Sequence, residues 1–180
     1  MHNLLYRSNA LFTVSTTVLG VMCLLTALTD LTHRPNVRLD ASVRSVDGLQ
    51  RDYGDDRAWL SIKLDLDLRD LFTWNTKQVF VYALAEWATP RNHVNQAMVW
   101  SRIVQQPRGA RVKEVVRIEY PYALTDQGVN LRGREYNLTV AWETTPVVGA
   151  LHKGGRQLGG LRLPDDYFRS ANVPRGHWRG

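Results

Sequence analysis

One motif in this 180-residue chain specifies a chemical event at a particular atom. Asn137-Leu138-Thr139 is an N-glycosylation acceptor, and it is a site of modification rather than of catalysis. The other reactive residue types are scattered. The five histidines, His2, His33, His93, His152 and His177, form no zinc-binding spacing and have no carboxylate pair beside them. Asp65 and Asp67 could suggest paired acid-base carboxylates, but they alternate with Leu64, Leu66 and Leu68, which makes them the polar face of a half-buried strand. Ser42 and Ser45 have no general base nearby in sequence and read as outward strand positions. The single cysteine, Cys23, leaves the rest of the chain without a disulfide, a thiol nucleophile or a cysteine metal ligand. A nucleophile elbow and a phosphate-cradling glycine loop are both missing from the sequence. No cofactor, metal or catalytic residue is expected.

The segments carrying these residues alternate with period two. Leu60, Ile62, Leu64, Leu66 and Leu68 oppose Ser61, Lys63, Asp65 and Asp67. Lys77 to Trp87 is apolar on both faces and reads as a central strand, its second face covered by protein or a partner. Val94 to Val104 is another strand. Val112, Val116 and Ile118 oppose Lys113, Arg117 and Glu119, and Val37-Leu39-Ala41-Val43 reads as the first strand. In Arg134 to Thr145, Leu138, Val140 and Trp142 face inward, so Asn137, Thr139 and Glu143 face outward, where a glycan has room. Turns fall at Thr73-Trp74-Asn75-Thr76, Thr89-Pro90-Arg91-Asn92, Gln105 to Gly109 and Asp126-Gln127-Gly128. The Gly154-Gly155 and Gly159-Gly160 pairs read as a loop, followed by a loose basic tail. Six or seven strands without convincing helices predict a mainly β chain with one antiparallel β-sandwich domain.

Ahead of these strands lies Ala10 to Thr29, which contains no charge; thirteen of its residues are apolar and five are threonine. Twenty helical residues reach about 30 Å, the thickness of a bilayer's hydrocarbon core. A cleaved signal peptide would have a shorter apolar region and a better cleavage site than Ala27-Leu28-Thr29, so a single transmembrane helix is expected, and Pro35 limits its extension. The expected organisation is a short N-terminal tail over 1–9, the span over 10–29, a β-sandwich over 30–165 and a basic tail over 166–180. The formal net charge of +6 is concentrated at the end, where Leu151 to Gly180 holds six Lys/Arg against Asp165 and Asp166. No interleaving of aromatic and basic residues suggests nucleic acid, so no such partner is expected. Orientation is divided: Arg34, Arg38 and Arg44 outnumber Arg7 and favour a cytosolic domain, whereas the acceptor sequence favours a lumenal one.

Longer stretches carry a family likeness. They run from Phe72-Thr73-Trp74-Asn75-Thr76-Lys77-Gln78-Val79-Phe80-Val81-Tyr82 through Ala85-Glu86-Trp87, Asn92, Asn95-Gln96 and Val99-Trp100 to Ile103. Leu131-Arg132-Gly133, Asn137-Leu138-Thr139, Trp142 and Val147-Val148-Gly149 follow, with Arg7-Ser8-Asn9-Ala10-Leu11-Phe12 at the start and Leu163-Pro164-Asp165-Asp166-Tyr167 near the end. In these residues the chain resembles the family of subunit 3 of the eukaryotic signal peptidase complex. It departs from that pattern in a degenerate Asp47 to Ala58 loop and the extension Phe168 to Gly180. The resemblance implies an endoplasmic reticulum membrane protein, single-pass type II, with a cytosolic N-terminus, a lumenal sandwich and a glycan acceptor at Asn137. It also implies a non-catalytic accessory role supporting the catalytic serine protease subunit in removing signal peptides. The expected partners are that subunit, the other subunits of the complex and membrane lipid, with no small-molecule substrate. Phe72, Trp74, Tyr82, Trp87 and Trp100 are candidate aromatics for a partner surface, although each would serve a core equally well. Two rival readings are a membrane-tethered β-sandwich ectodomain for adhesion or reception, and a tethered hydrolase using Ser42 or Ser45.

Overall fold

The computed structural model describes residues 3–118 and 123–170. Among the described residues one α-helix, α1 (Leu4–Thr32), precedes nine strands. Asn3 caps it, its side chain accepting from Leu5 N at 3.4 Å. The hydroxyls of Thr13, Thr16, Thr17, Thr26, Thr29 and Thr32 all donate to carbonyls three or four residues back. A threonine-rich apolar helix thus consumes its own polar groups. Its large side chains are exposed along its length, and it is long and apolar enough over Leu4–Asp30 to cross a membrane. Residues 4–9, expected as a tail, form the helix's first turns.

The strands are β1 (Arg38–Asp52), β2 (Asp55–Asp67), β3 (Thr76–Trp87), β4 (Asn95–Val104), β5 (Arg111–Arg117), β6 (Leu124–Asp126), β7 (Glu135–Pro146), β8 (His152–Arg162) and β9 (Phe168–Arg169). One antiparallel sheet runs β5-β2-β1-β9, with β6 also on β2; the other runs β4-β3-β7-β8. Their inner faces bury one continuous core. Leu60, Ile62, Leu64 and Leu66 on β2 meet Val79, Val81, Ala83 and Ala85 on β3 and Leu138 and Val140 on β7. The apolar period-two sets read on β2 and β7 lie in the core or pack against it, and on β3, which is apolar on both faces, the odd-numbered positions from Val79 onward are the buried ones. Tyr136 joins this core, and burial pushes its phenol up to about 12.

Three segments differ from the sequence expectation. Asp47 to Ala58, read as a loop, is a hairpin whose strands pair from Gly48↔Trp59 to Asp52↔Asp55. Its two-residue turn, Tyr53-Gly54, has positive φ at both positions, the geometry that matches the twist of paired strands. No apolar alternation marks it, because polar residues fill it and Asp47 and Asp56 are buried by hydrogen bonding. Second, the glycine-rich segment is the edge strand β8. A Cβ on Gly154 would stand 2.3 Å from the Trp142 ring, so glycine there is a seat for the indole rather than a loop signal. Third, the sheet continues past residue 165, because Phe168 and Arg169 pair with Leu49 and Gly48. Glu119, placed outward on the fifth strand, lies outside the described residues, as do His2, His177 and the tail from 171.

Candidate functional site

The register of the second sheet determines what its outer face presents. Phe80 is flanked by Ile103 and Glu143, Tyr82 by Ser101 and Ala141, and Leu84 by Met98 and Thr139. Cross-strand partners share a face, so Phe80, Tyr82, Leu84, Met98 and Ile103 form one outer apolar patch. Ile103 is 56% exposed and Met98 37%, while the three β3 side chains are half-buried. Phe80 and Tyr82 stack with ring centroids 5.2 Å apart. Polar pairs border the patch. Tyr82 donates to Glu143 at 3.3 Å, Lys153 lies 2.9 Å from the same carboxylate, and Gln96 donates to Glu86. Burial, then the Glu143 charge, raises the Tyr82 phenol. An apolar centre with a polar rim is the composition of a protein-binding face.

The candidate aromatics separate accordingly. Tyr82 belongs to this face. Trp87 and Trp100 do not, because odd-numbered β3 positions and their partners point inward and both indoles are core. Trp87 also donates from Nε1 to the buried Asp126 at 3.2 Å. Phe72 packs half-buried against the core, and Trp74 stands exposed in the turn before β3.

Asn137 lies at the far end of the same outer face, opposite Glu86, with its Oδ1 3.4 Å from where a Cβ on Gly159 would be. The outward parity read from the sequence matches this placement, and Asn137 is half-buried between β3 and β8. A β-bulge between Tyr136 and Leu138 opens the β7–β8 pairing beside it.

The other reactive residues remain apart. His33 donates from Nε2 to the Asp70 carbonyl at 2.7 Å, and His93 and His152 are exposed on a loop and on β8. Ser42 is an exposed strand position opposite Lys63. Ser45, read as lacking a neighbouring base, donates to Asp47 at 2.7 Å, and Ser61 donates to the same carboxylate, with Arg117 3.8 Å away. That network ties β1 to β2 and β5, and it buries Ser61, which the alternation had placed outward. Asp65 and Asp67 face cations: Lys113 and Arg111 approach Asp65, and Arg69 and Arg111 approach Asp67. The Arg69 hydrogen bond holds the Asp67 carboxyl well below the usual range. Among the described residues no cluster of three or more His, Cys, Asp or Glu could hold a metal ion.

A joint between helix and sandwich had no signal in the sequence. Asn75, 2% exposed, donates from Nδ2 to Asp30 and to the Val148 carbonyl at 2.8 Å, and its Oδ1 accepts from Val148 N at 3.1 Å. Thr73 also reaches Asp30, and Asp70 accepts from Asn36 N. One side chain thereby joins the end of α1, the β3 turn and the β7–β8 turn. A polar residue in a turn does not announce which distant carboxylate it will meet.

Comparison with known proteins places these features together. The family described as "Signal peptidase subunit" matches residues 1–166, through helix and sandwich alike. Signal peptidase complex subunit 3 of Drosophila melanogaster is 31% identical over 95% of this chain and 99% of its own length. The Dictyostelium discoideum protein of that name is 28% identical over the same shares, and the Homo sapiens one is 31% identical over 84% of this chain and 87% of its own.

Proposed function

The chain belongs to the signal peptidase subunit family, and on that basis we propose that it is an accessory, non-catalytic subunit of the endoplasmic reticulum signal peptidase complex. It holds the catalytic serine protease subunit in position for removing signal peptides. The observation that carries this reading is the apolar outer face of the β4-β3-β7-β8 sheet on a domain joined to an apolar helix. The helix spans the membrane, and the sandwich stands on the lumenal side with the outer sheet face turned to its partner. The mechanism is mechanical. The helix determines the height of the domain, the Asn75 joint determines its attitude, and the patch around Phe80 and Leu84 supplies the contact area.

Glu substituted at both Ile103 and Met98 tests the contact, because both side chains are exposed and their replacement leaves the core intact. Wild-type full chain drawn from a detergent extract should recover the membrane serine protease in stoichiometric amount. Ile103→Glu/Met98→Glu should recover about tenfold less or lower still, as expected when charge enters the centre of an interface. Equal recovery by both proteins would place the contact elsewhere.

Lumenal orientation and the acceptor are tested together. The full chain made in microsomes should shift on endoglycosidase digestion, and Asn137→Gln should abolish the shift. The outward parity of Asn137, opposite Glu86, and the irregular β7–β8 pairing beside it support modification at this position. An unshifted wild-type chain would count against an occupied lumenal acceptor.

A further inference from the structure

Three of the most exposed apolar side chains outside the helix lie at one end of the sandwich. Trp74 is 72% exposed, Val147 66% and Leu151 53%. Trp74 occupies the turn before β3, while Val147 and Leu151 flank the β7–β8 turn. The two turns adjoin, because Val147 N donates to the Asn75 carbonyl at 2.6 Å and Thr76 pairs with Pro146. These turns also hold the helix. Asn75 binds Asp30, and a Cβ on Gly149 would stand 3.4 Å from the Cβ of Ala27. The β7–β8 turn is therefore level with Ala27, inside the apolar stretch Leu4–Asp30.

That level gives a depth. The 27 residues of the stretch extend about 40 Å. A bilayer has about 30 Å of hydrocarbon and roughly 40–45 Å including its headgroup layers. The last turn of such a helix lies in a headgroup layer, and whatever packs against Ala27 lies there too. An indole and two aliphatic side chains exposed at that depth meet lipid rather than bulk water, and tryptophan is the side chain enriched in this layer. Arg34, Arg38, Lys77 and Arg108 are exposed at the same end, where their charges can reach lipid phosphates. Asp30 would be costly at this depth if bare, but its carboxylate accepts from Asn75 and Thr73.

We propose that Trp74, Val147 and Leu151 form a foot by which the sandwich inserts into the interfacial layer of the leaflet its helix emerges from. The occupant of this surface is lipid and not another subunit, because the helix contact alone carries the turn to bilayer depth. The proposal rests on the helix spanning the membrane, and its test separates the two.

Full chain with Cys23→Ser is given Val147→Cys or Leu151→Cys, labelled with an environment-sensitive fluorophore and reconstituted without other subunits in phosphatidylcholine vesicles. Val129→Cys, 49% exposed in the turn between β6 and β7, is the distal control, and the unmutated chain labelled at Cys23 reports the span. Labels at 147 and 151 should lose most of their emission to lipids spin-labelled near the headgroup and resist aqueous iodide, with the reverse at 129. Iodide quenching at 147 and 151, with Cys23 still quenched by lipids spin-labelled deep in the chain, would overturn the foot alone. A Cys23 label that deep spin labels leave bright would overturn the spanning helix, and the foot with it.

Discussion

Replacing Asn75 by leucine should lower the melting temperature of the full chain in detergent by roughly 6–12 °C, read by circular dichroism of the strand signal. The side chain is 2% exposed, and its amide makes bonds to Asp30, the Val148 carbonyl and Val148 N. Leucine has the same number of side-chain heavy atoms and the same branching, and supplies none of them. The Val148 N–H and carbonyl lose their partner, and the Asp30 carboxylate keeps only the 3.5 Å contact with Thr73. A buried group left unsatisfied costs about 1–3 kcal/mol, and bonds to charged groups stand at the upper end. About 3 kcal/mol in all gives the stated shift at 2–4 °C per kcal/mol for a chain of this size. Asn75→Asp should be worse still at neutral pH, since it sets a second carboxylate against Asp30. A melting curve unchanged in Asn75→Leu would mean that the joint contributes nothing to stability.

The second large effect belongs to the opposite end of the sandwich. The Asp56 carboxylate is fully buried and accepts from Leu131 N at 3.0 Å and from the Tyr167 hydroxyl at 2.8 Å. Asp56→Ala should cost about 2–4 kcal/mol by denaturant unfolding, because it strands a buried N–H and opens a void at one stroke. Tyr167→Phe, which removes one bond at a half-exposed site, should cost about 1 kcal/mol. The double variant should lose less than the sum, since the two residues share that bond. Strict additivity would show that the pair does not interact. Released Tyr167 also frees the segment that carries β9, whose Ser170 N donates to the Asp47 carbonyl at 2.9 Å. Limited proteolysis of Asp56→Ala should therefore cut between residues 163 and 170 sooner than in the wild type.

These two sites mark the limit of what the sequence made legible. Leu60 to Leu68 is legible because alternation is a local pattern, and the burial of its apolar parity follows directly; Lys77 to Trp87, apolar on both faces, is legible as a central strand, but which of its parities meets the core is not. The apolar helix was readable from composition alone, and its cap and internal threonine bonds added only its ends. The acceptor Asn137 came with its parity, and the structure adds the bulge beside it. Asn75 and Asp56 had no signal, since their partners lie 45 and 111 residues away at Asp30 and Tyr167. Strand β8 was misread because Gly154 is there for the Trp142 ring, a reason held in another strand. The aromatics were legible as a set but not individually. Parity within β3 sends Tyr82 out and Trp87 in, and only the pairing with β4 shows that Trp100 follows Trp87.

The length of β1 gives the joint at Asn75 a geometric effect. Fifteen residues at about 3.3 Å each carry the hairpin tip roughly 45–50 Å from the helix end. If the helix spans the membrane as proposed, a domain fastened to it at its base is a lever arm whose fulcrum lies in the headgroup layer. Membrane helices tilt by about 20° on average, and they tilt more where the bilayer is thin. A change of about 10° at the fulcrum sweeps the far end sideways by roughly 8 Å, more than a side chain's length. Bilayer thickness thereby becomes a variable that aims the outer sheet face. A slack joint would leave that aim to chance.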